Sequence, residues 1–216
     1  MIQLKRRNSI ISFGGIAFII SGLLFLAQQL FLLPVPIPPS AEGELMMWLA
    51  EWKFHIAMAD ELIFFATLSL IPSIAALYRV LAGTDRIKAA LGCGLMAVTI
   101  PVHLFMTIVL GRMVYPVYDL ELTPDIYKLV LSMYYGGMHT AALILGTAIL
   151  LLSFAIRRSQ IGKGAAYVGF AAGLLQFAGA YPWLIGSAMS MVIQVVCTAW
   201  FILLGIRMLG GLKEAR

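Results

Sequence analysis

The chain has 216 residues, of which 62% are apolar and 12% charged, with a net charge of +5 and a mean hydropathy of +0.96. A soluble domain averages roughly 45–50% apolar and about 25% charged residues. This composition excludes an ordinary soluble domain and indicates an integral membrane protein.

Six apolar segments are long enough to cross a bilayer, which takes about 20 mainly apolar residues per helix. They are residues 9–33, 54–81, 89–111, 126–156, 165–184 and 187–209. Helices are required because lipid offers no hydrogen-bond partner to the backbone, and the alternating pattern of membrane barrel strands is missing. The sequence therefore predicts an all-α, polytopic membrane protein, with residues 1–216 forming one domain of six spans in three hairpins.

The first segment follows the basic stretch MIQLKRRNS and is longer than the roughly 7–15 apolar residues of a signal peptide core. We therefore expect it to be retained as the first span. The proline-rich stretch LPVPIPPSAEGE is typical of an extended connection. After it the chain is expected to return to helix near Glu44, with Trp48 and Trp52 at the membrane interface.

The later segments carry three further signals. The connection RMVYPVYDLELTPD between the third and fourth spans is the longest, and its aromatic and acidic residues are typical of an interfacial loop. Gly169 and Gly173 on the fifth span form a GxxxG pair, which is expected to mark close packing inside the monomer. Cys93 and Cys197 are predicted at different depths, too far apart for a disulfide, and are interpreted as small packing residues.

The basic residues predict the topology. Twelve of the fifteen fall at one set of helix ends: Lys5, Arg6, Arg7, Arg79, Arg86, Lys88, Arg157, Arg158, Lys163, Arg207, Lys213 and Arg216. This positive-inside pattern predicts a multi-pass protein of the cytoplasmic (inner) membrane with its N- and C-termini inside. The expected partner of the basic surface is anionic membrane lipid, with no nucleic acid, and oligomeric state is left open.

Polar side chains gather in the half of the spans that lies away from the termini. A charged group facing lipid is unfavourable, so several polar helix faces are expected to converge on one outward-opening cavity. The residues concerned are His55, Asp60, Glu61, His103, His139, Gln176 and Gln194.

Three interpretations of this polar layer remain open. In the first, the side chains only hydrogen-bond between helices, and the protein is a structural or accessory membrane subunit. In the second, they bind a small amphipathic or lipid-like molecule in a pocket with apolar walls and a few convergent polar groups. The ligand-binding residues are then Asp60, Glu61, His103, Tyr135, His139 and Gln194, with Tyr134 and Trp183 as further walls.

The third interpretation is a metal or haem centre. His55, His103 and His139, with Asp60 or Glu61, supply a ligand set that suits zinc, whose bound hydroxide would hydrolyse an amide or ester. A haem clamped between His103 and His139 is the other cofactor considered. No HExxH motif is present, so the sequence leaves open whether the protein is an enzyme.

Residues 54–92, FHIAMADELIFFATLSLIPSIAALYRVLAGTDRIKAALG, carry a resemblance to a known family. A short polar segment precedes an apolar helix that ends in Leu77, Tyr78 and Arg79. This arrangement resembles the second-helix region of an uncharacterised family of bacterial six-helix membrane proteins. His55 stands where that family often has arginine. The resemblance implies a six-helix fold in a bacterial membrane, and it implies no activity.

Overall fold

The computed structural model describes residues 2–115, 117, 118, 120 and 122–210, with the backbone alone for residues 2–8. Within these residues the secondary structure is helical throughout, with no β-strand. The all-α fold predicted from the sequence is confirmed. The helices are α1 (Ile2–Leu32), α2 (Glu42–Leu81), α3 (Arg86–Val114), α4 (Pro124–Ile156), α5 (Lys163–Gly179) and α6 (Pro182–Leu209).

Five of these helices, α1 to α4 and α6, are long and apolar enough to cross a membrane, as expected of a multi-pass membrane protein. The fifth predicted span, 165–184, is wrong at its C-terminal end, because α5 stops at Gly179 after 17 residues. Pro182 explains the stop: it lacks an N–H and disfavours helical geometry at the preceding residue. Tyr181 accordingly has φ −120° and ψ 60°. At 1.5 Å per residue α5 is about 26 Å long.

Helix α2 begins well before its predicted membrane segment. Its first residue is Glu42, which confirms the predicted return to helix near Glu44. The 40 residues of α2 span about 60 Å, roughly twice a hydrocarbon core of about 30 Å. The first turns of α2 bury Leu45 and Trp48 in an apolar cluster with Met113 of α3 and Leu131 of α4. This cluster is separate from the main apolar core of the protein.

Asp85 caps the N-terminus of α3. The Asp85 carboxylate accepts a hydrogen bond from the backbone N–H of Lys88 at 3.1 Å and a second from the Lys88 ammonium group. Both bonds favour the ionised form, so Lys88 lowers the pKa of Asp85. This is the usual N-terminal capping arrangement, and it fixes the turn between α2 and α3.

The six helices form a closed ring. Each packs against its neighbours in sequence, α6 packs against α1, and among the described residues the backbone of α2 also approaches that of α4. Neighbours run antiparallel: Gly14 of α1 faces Ala76 of α2, whereas Ser21 donates a hydrogen bond to Ala66. We call the end with the start of α1 and the end of α6 the proximal end. The distal end carries the α1–α2, α3–α4 and α5–α6 connections.

Glycines close the ring where α1 meets α6. A Cβ on Gly15 would lie 2.9 Å from the carbonyl oxygen of Gly205, and a Cβ on Gly205 would lie 2.5 Å from the carbonyl oxygen of Gly15. Towards the distal end, the Thr198 hydroxyl donates to the carbonyl oxygen of Gly22 at 3.1 Å. Small residues at such a contact let two helix backbones approach closely.

The proximal half of the ring is filled by apolar side chains, among them the fully buried Leu77, Met96 and Trp200. Glycines also allow close packing in this half where α5 meets α4. A Cβ on Gly173 of α5 would lie 3.0 Å from the carbonyl oxygen of Gly146 on α4, which confirms that the GxxxG pair marks packing within the monomer. The interior is therefore solid towards the proximal end.

We expect Gly205→Ala to destabilise the ring, because its added methyl group has no room between α1 and α6. Overpacking of this kind typically costs about 1–3 kcal/mol. The measurement is thermal unfolding in one detergent, with Gly94→Ala of α3 as the matched control. A Cβ on Gly94 meets nothing within 4 Å, so that variant should unfold at or slightly above the wild-type temperature. Equal unfolding temperatures for all three proteins would refute the close contact.

Candidate functional site

The distal half of the ring encloses a cavity of about 490 Å³. This volume lies within the roughly 300–1,000 Å³ of small-molecule sites. All six helices and the α1–α2 connection contribute to its wall. The cavity exists because the side chains of the ring do not fill this half of the interior as they fill the proximal half.

The cavity has an apolar floor and an apolar cover. Phe25 of α1 and Phe201 of α6 form part of the floor, with ring centroids 6.3 Å apart. Pro36 and Ile37 of the α1–α2 connection line the opposite side. The indole N–H of Trp48 donates to the carbonyl oxygen of Pro36 at 3.0 Å, which holds the proline-rich segment over the cavity.

A layer of polar side chains lies between floor and cover. We call it the polar belt, and its members are Gln28, Gln29, His103, Tyr135, Gln176 and Gln194. Gln28 follows Phe25 by one helical turn on α1, and Gln194 precedes Phe201 by two turns on α6. Gln28 is only 5% exposed and Gln176 only 8%, so both face the interior of the ring and not the lipid.

The belt has unused hydrogen-bonding groups. Gln194 donates through Nε2 to the Thr198 hydroxyl at 3.2 Å, which leaves its oxygen and one N–H. Within the described part of the chain, the amide of Gln28, which lines the cavity, makes no side-chain hydrogen bond, and the buried Nδ1 of His103 has no partner. Buried polar groups without partners are unfavourable, so these side chains favour a polar occupant of the cavity.

A backbone kink shapes the cavity wall on α6. Gly186 has φ 74° and ψ 173°, a conformation that is essentially restricted to glycine. It separates the first turn of α6, which carries Trp183, from the long helix that begins at Ser187, the predicted start of the sixth span. The Ser190 hydroxyl donates to the carbonyl oxygen of Gly186 at 2.9 Å. Trp183, Gly186, Ser187 and Ser190 all line the cavity.

The structure gathers only part of the predicted binding set. His103, Tyr135 and Gln194 line the cavity, as do the predicted walls Tyr134 and Trp183. Three predicted residues, Asp60, Glu61 and His139, are not part of the lining within the described residues. The belt also contains Gln28 and Gln29, which the sequence-based prediction missed. Two adjacent glutamines in the distal half of an apolar helix were the available signal, because polar groups in such segments usually face the bundle interior.

Asp60 and Glu61 lie on different faces of α2, because adjacent helical residues diverge by about 100°. Asp60 is buried between α2 and α3, with Oδ2 3.3 Å from the position of a Cβ on Gly111 and with no partner for Oδ1. Glu61 is exposed and accepts a hydrogen bond from the hydroxyl of Tyr115 at 3.0 Å. Burial and this hydrogen bond raise the pKa of Tyr115 to about 12, so the hydroxyl remains a donor.

His139 stabilises the end of α5. Its Nδ1 lies 2.8 Å from the carbonyl oxygen of Ala180, the residue after the last of α5. Because a carbonyl oxygen only accepts, the Nδ1–H is the donor. Basic side chains commonly satisfy the free carbonyl groups at a helix C-terminus in this way. The ring also packs edge-on against Tyr181, with centroids 4.9 Å apart.

The predicted metal set of His55, His103 and His139 is not assembled. Within the described ranges, no group of three or more His, Cys, Asp and Glu residues is placed to hold a metal ion. His55 packs against Trp52, with ring centroids 5.2 Å apart, while His139 is bonded to the end of α5. Of the two histidines predicted to clamp a haem, only His103 lines the cavity. The three histidines of the predicted metal set therefore lie in three different environments.

Comparisons with protein families, with characterised proteins and with solved structures find no match to this chain. The function of this chain is therefore inferred from the cavity and from the residues that line it.

Proposed function

We propose that this integral membrane protein binds a small amphipathic or lipid-like molecule in the cavity of its helical ring. The observation that carries the proposal is the polar belt, which lies between an apolar floor and an apolar cover inside a bundle of membrane helices. A ligand with one polar part and one apolar part fits such a wall. Small-molecule sites usually combine apolar walls with a few convergent polar groups.

The burial of the belt favours this function over a purely structural role. In a bundle held together by polar contacts, the glutamines of facing helices would bond to each other or to the backbone. Gln194 takes part in such a contact indirectly, because it donates to Thr198 on its own helix and the Thr198 hydroxyl donates to the backbone of Gly22 on α1. Gln28 is also buried in the ring. Among the described residues, however, its amide has no such partner, and the cavity lies beside it. A structural or accessory subunit is therefore the weaker alternative.

We further propose that all six helices cross the cytoplasmic membrane, with both termini inside. Helix α5 packs between α4 and α6, which are long and apolar enough to span the membrane, and a slightly short helix is accommodated by local thinning of the bilayer. The basic residues of the proximal end favour the cytoplasmic side. The cavity would then lie in the outer half of the membrane.

Reporter fusions test this orientation. We expect alkaline phosphatase to be active when fused after Ser40, in the α1–α2 connection, and inactive when fused after Arg216, because the enzyme folds only outside the cytoplasm. A fluorescent protein fused at the same two sites should give the opposite pattern and serves as the control for expression. Active phosphatase after Arg216 would invert the topology and place the cavity on the cytoplasmic side.

Photolabelling in lipid nanodiscs tests the ligand site. Three probes share one alkyl diazirine chain and carry a glucoside, a sulfate or a trimethylammonium head group. We expect at least one of them to label cavity-lining residues of α1, α4 or α6 saturably.

The substitution that tests this labelling is Ala142→Phe, because Ala142 lines the cavity and a phenyl ring there reduces the cavity volume. Its labelling should fall about tenfold or more, as expected when a bound group is excluded.

The matched control is Ala199→Phe, since Ala199 is exposed on the outer face of α6. This variant should keep wild-type labelling. Labelling that is confined to lipid-facing residues, does not saturate with any of the three probes and is unchanged by Ala142→Phe would favour the structural or accessory role.

A further inference from the structure

We propose that the cavity selects an electrically neutral ligand whose polar part carries hydroxyl groups, as in a glycoside or an acylated polyol. This inference rests on the proposed function, because it concerns the chemistry of the molecule that the same cavity binds. Three observations carry it: the charge of the wall, the amide groups of the belt and the arrangement of the aromatic rings.

The described wall of the cavity contains no Asp, Glu, Lys or Arg. The buried carboxyl group of Asp60 packs against Gly111 between α2 and α3, and the carboxylate of Glu61 is bonded to Tyr115 on an exposed surface. Neither carboxyl group is among the described residues that line the cavity. Moving an ion from water into a site without a counter-charge is strongly unfavourable, so an uncharged ligand is favoured.

The polar belt offers both hydrogen-bond donors and hydrogen-bond acceptors. Gln28, Gln176 and Gln194 present primary amides from three helices, α1, α5 and α6. Each amide carries two N–H donors and one oxygen acceptor. A hydroxyl group is complementary to this combination, because it donates one hydrogen bond and accepts others. Gln28 is the most telling member, since it is 95% buried, faces the cavity and has no protein partner among the described residues.

Aromatic rings on the wall raise the alternative of a quaternary ammonium ligand, which binds to cages of such rings. The geometry does not favour it. Tyr134 and Tyr135 pack edge-to-face against each other, with centroids 5.6 Å apart and planes at 69°. The Trp48 indole is tied to Pro36. The floor rings of Phe25 and Phe201 are tilted together at 57° and suit an apolar chain.

The three photoprobes decide between these chemistries, since they differ only in head group. We expect the glucoside probe to label the cavity with at least tenfold higher apparent affinity than the sulfate or the trimethylammonium probe, at equal concentration in the membrane. Saturable cavity labelling that is strongest with the trimethylammonium or the sulfate head would overturn the neutral-ligand proposal while leaving the proposed function intact. Saturable labelling by none of the three would overturn both.

Substitutions at Gln28 test the role of the amides. Gln28→Leu removes the hydrogen-bonding groups at similar volume and should weaken glucoside labelling about tenfold, as the loss of one or two hydrogen bonds implies. Gln28→Glu adds a negative charge and should shift the preference towards the trimethylammonium probe. If Gln28→Leu does not fold, Gln194→Leu tests the same claim on α6. Unchanged probe preferences in the folded variants would contradict the proposal.

Discussion

Closure of α1 against α6 is the contact on which the rest of the structure depends. Helices joined in sequence can each pack on the next one and still form an open layer. Here the last helix returns to the first, because Gly15 and Gly205 bring the two backbones together and Thr198 bonds to the backbone at Gly22. Since the backbones of opposite helices do not approach each other closely within the described residues, a closed ring has an interior that side chains must fill or leave open. The proximal half is filled and the distal half is not.

The open half is where the polar residues lie, and this coincidence gives the cavity its chemical character. Polar groups in a membrane helix are expensive when they face lipid, so a ring with an inner surface is the natural place for them. Gln28, His103, Gln176 and Gln194 reach that surface from four helices. The α1–α2 connection covers it through the bond between Trp48 and Pro36. The kink at Gly186 breaks the regular helix on the wall and adds Trp183 to the lining.

The sequence was sufficient for the helical class, for most helix ends and for the position of a polar layer, because hydropathy, proline and charge act locally. The sequence did not determine which polar residues face the interior of the ring. Asp60 and His103 were predicted at one site on depth alone, yet the rotation of α2 about its axis turns Asp60 towards Gly111. His139 was assigned to the ligand, but its partner is Ala180, 41 residues later, which only the packing of α4 on α5 brings near. The adjacent glutamines indicate that α1 has a polar side, but the position of Gln28 beside the cavity depends on the packing of α1 against α6, which no local pattern in the sequence predicts.

The central claim is that the distal interior is an accessible cavity, and the two cysteines test it most directly. Both are buried in the same apolar cluster, but Cys197 also lines the cavity, whereas Cys93 lies near the proximal start of α3 and is not among the described lining residues. The measurement is the rate at which a small neutral maleimide modifies Cys197 in the Cys93→Ser variant and Cys93 in the Cys197→Ser variant, each folded in nanodiscs. The account predicts that Cys197 reacts at least tenfold faster and that both react alike after unfolding. Equal rates in the folded proteins would contradict it.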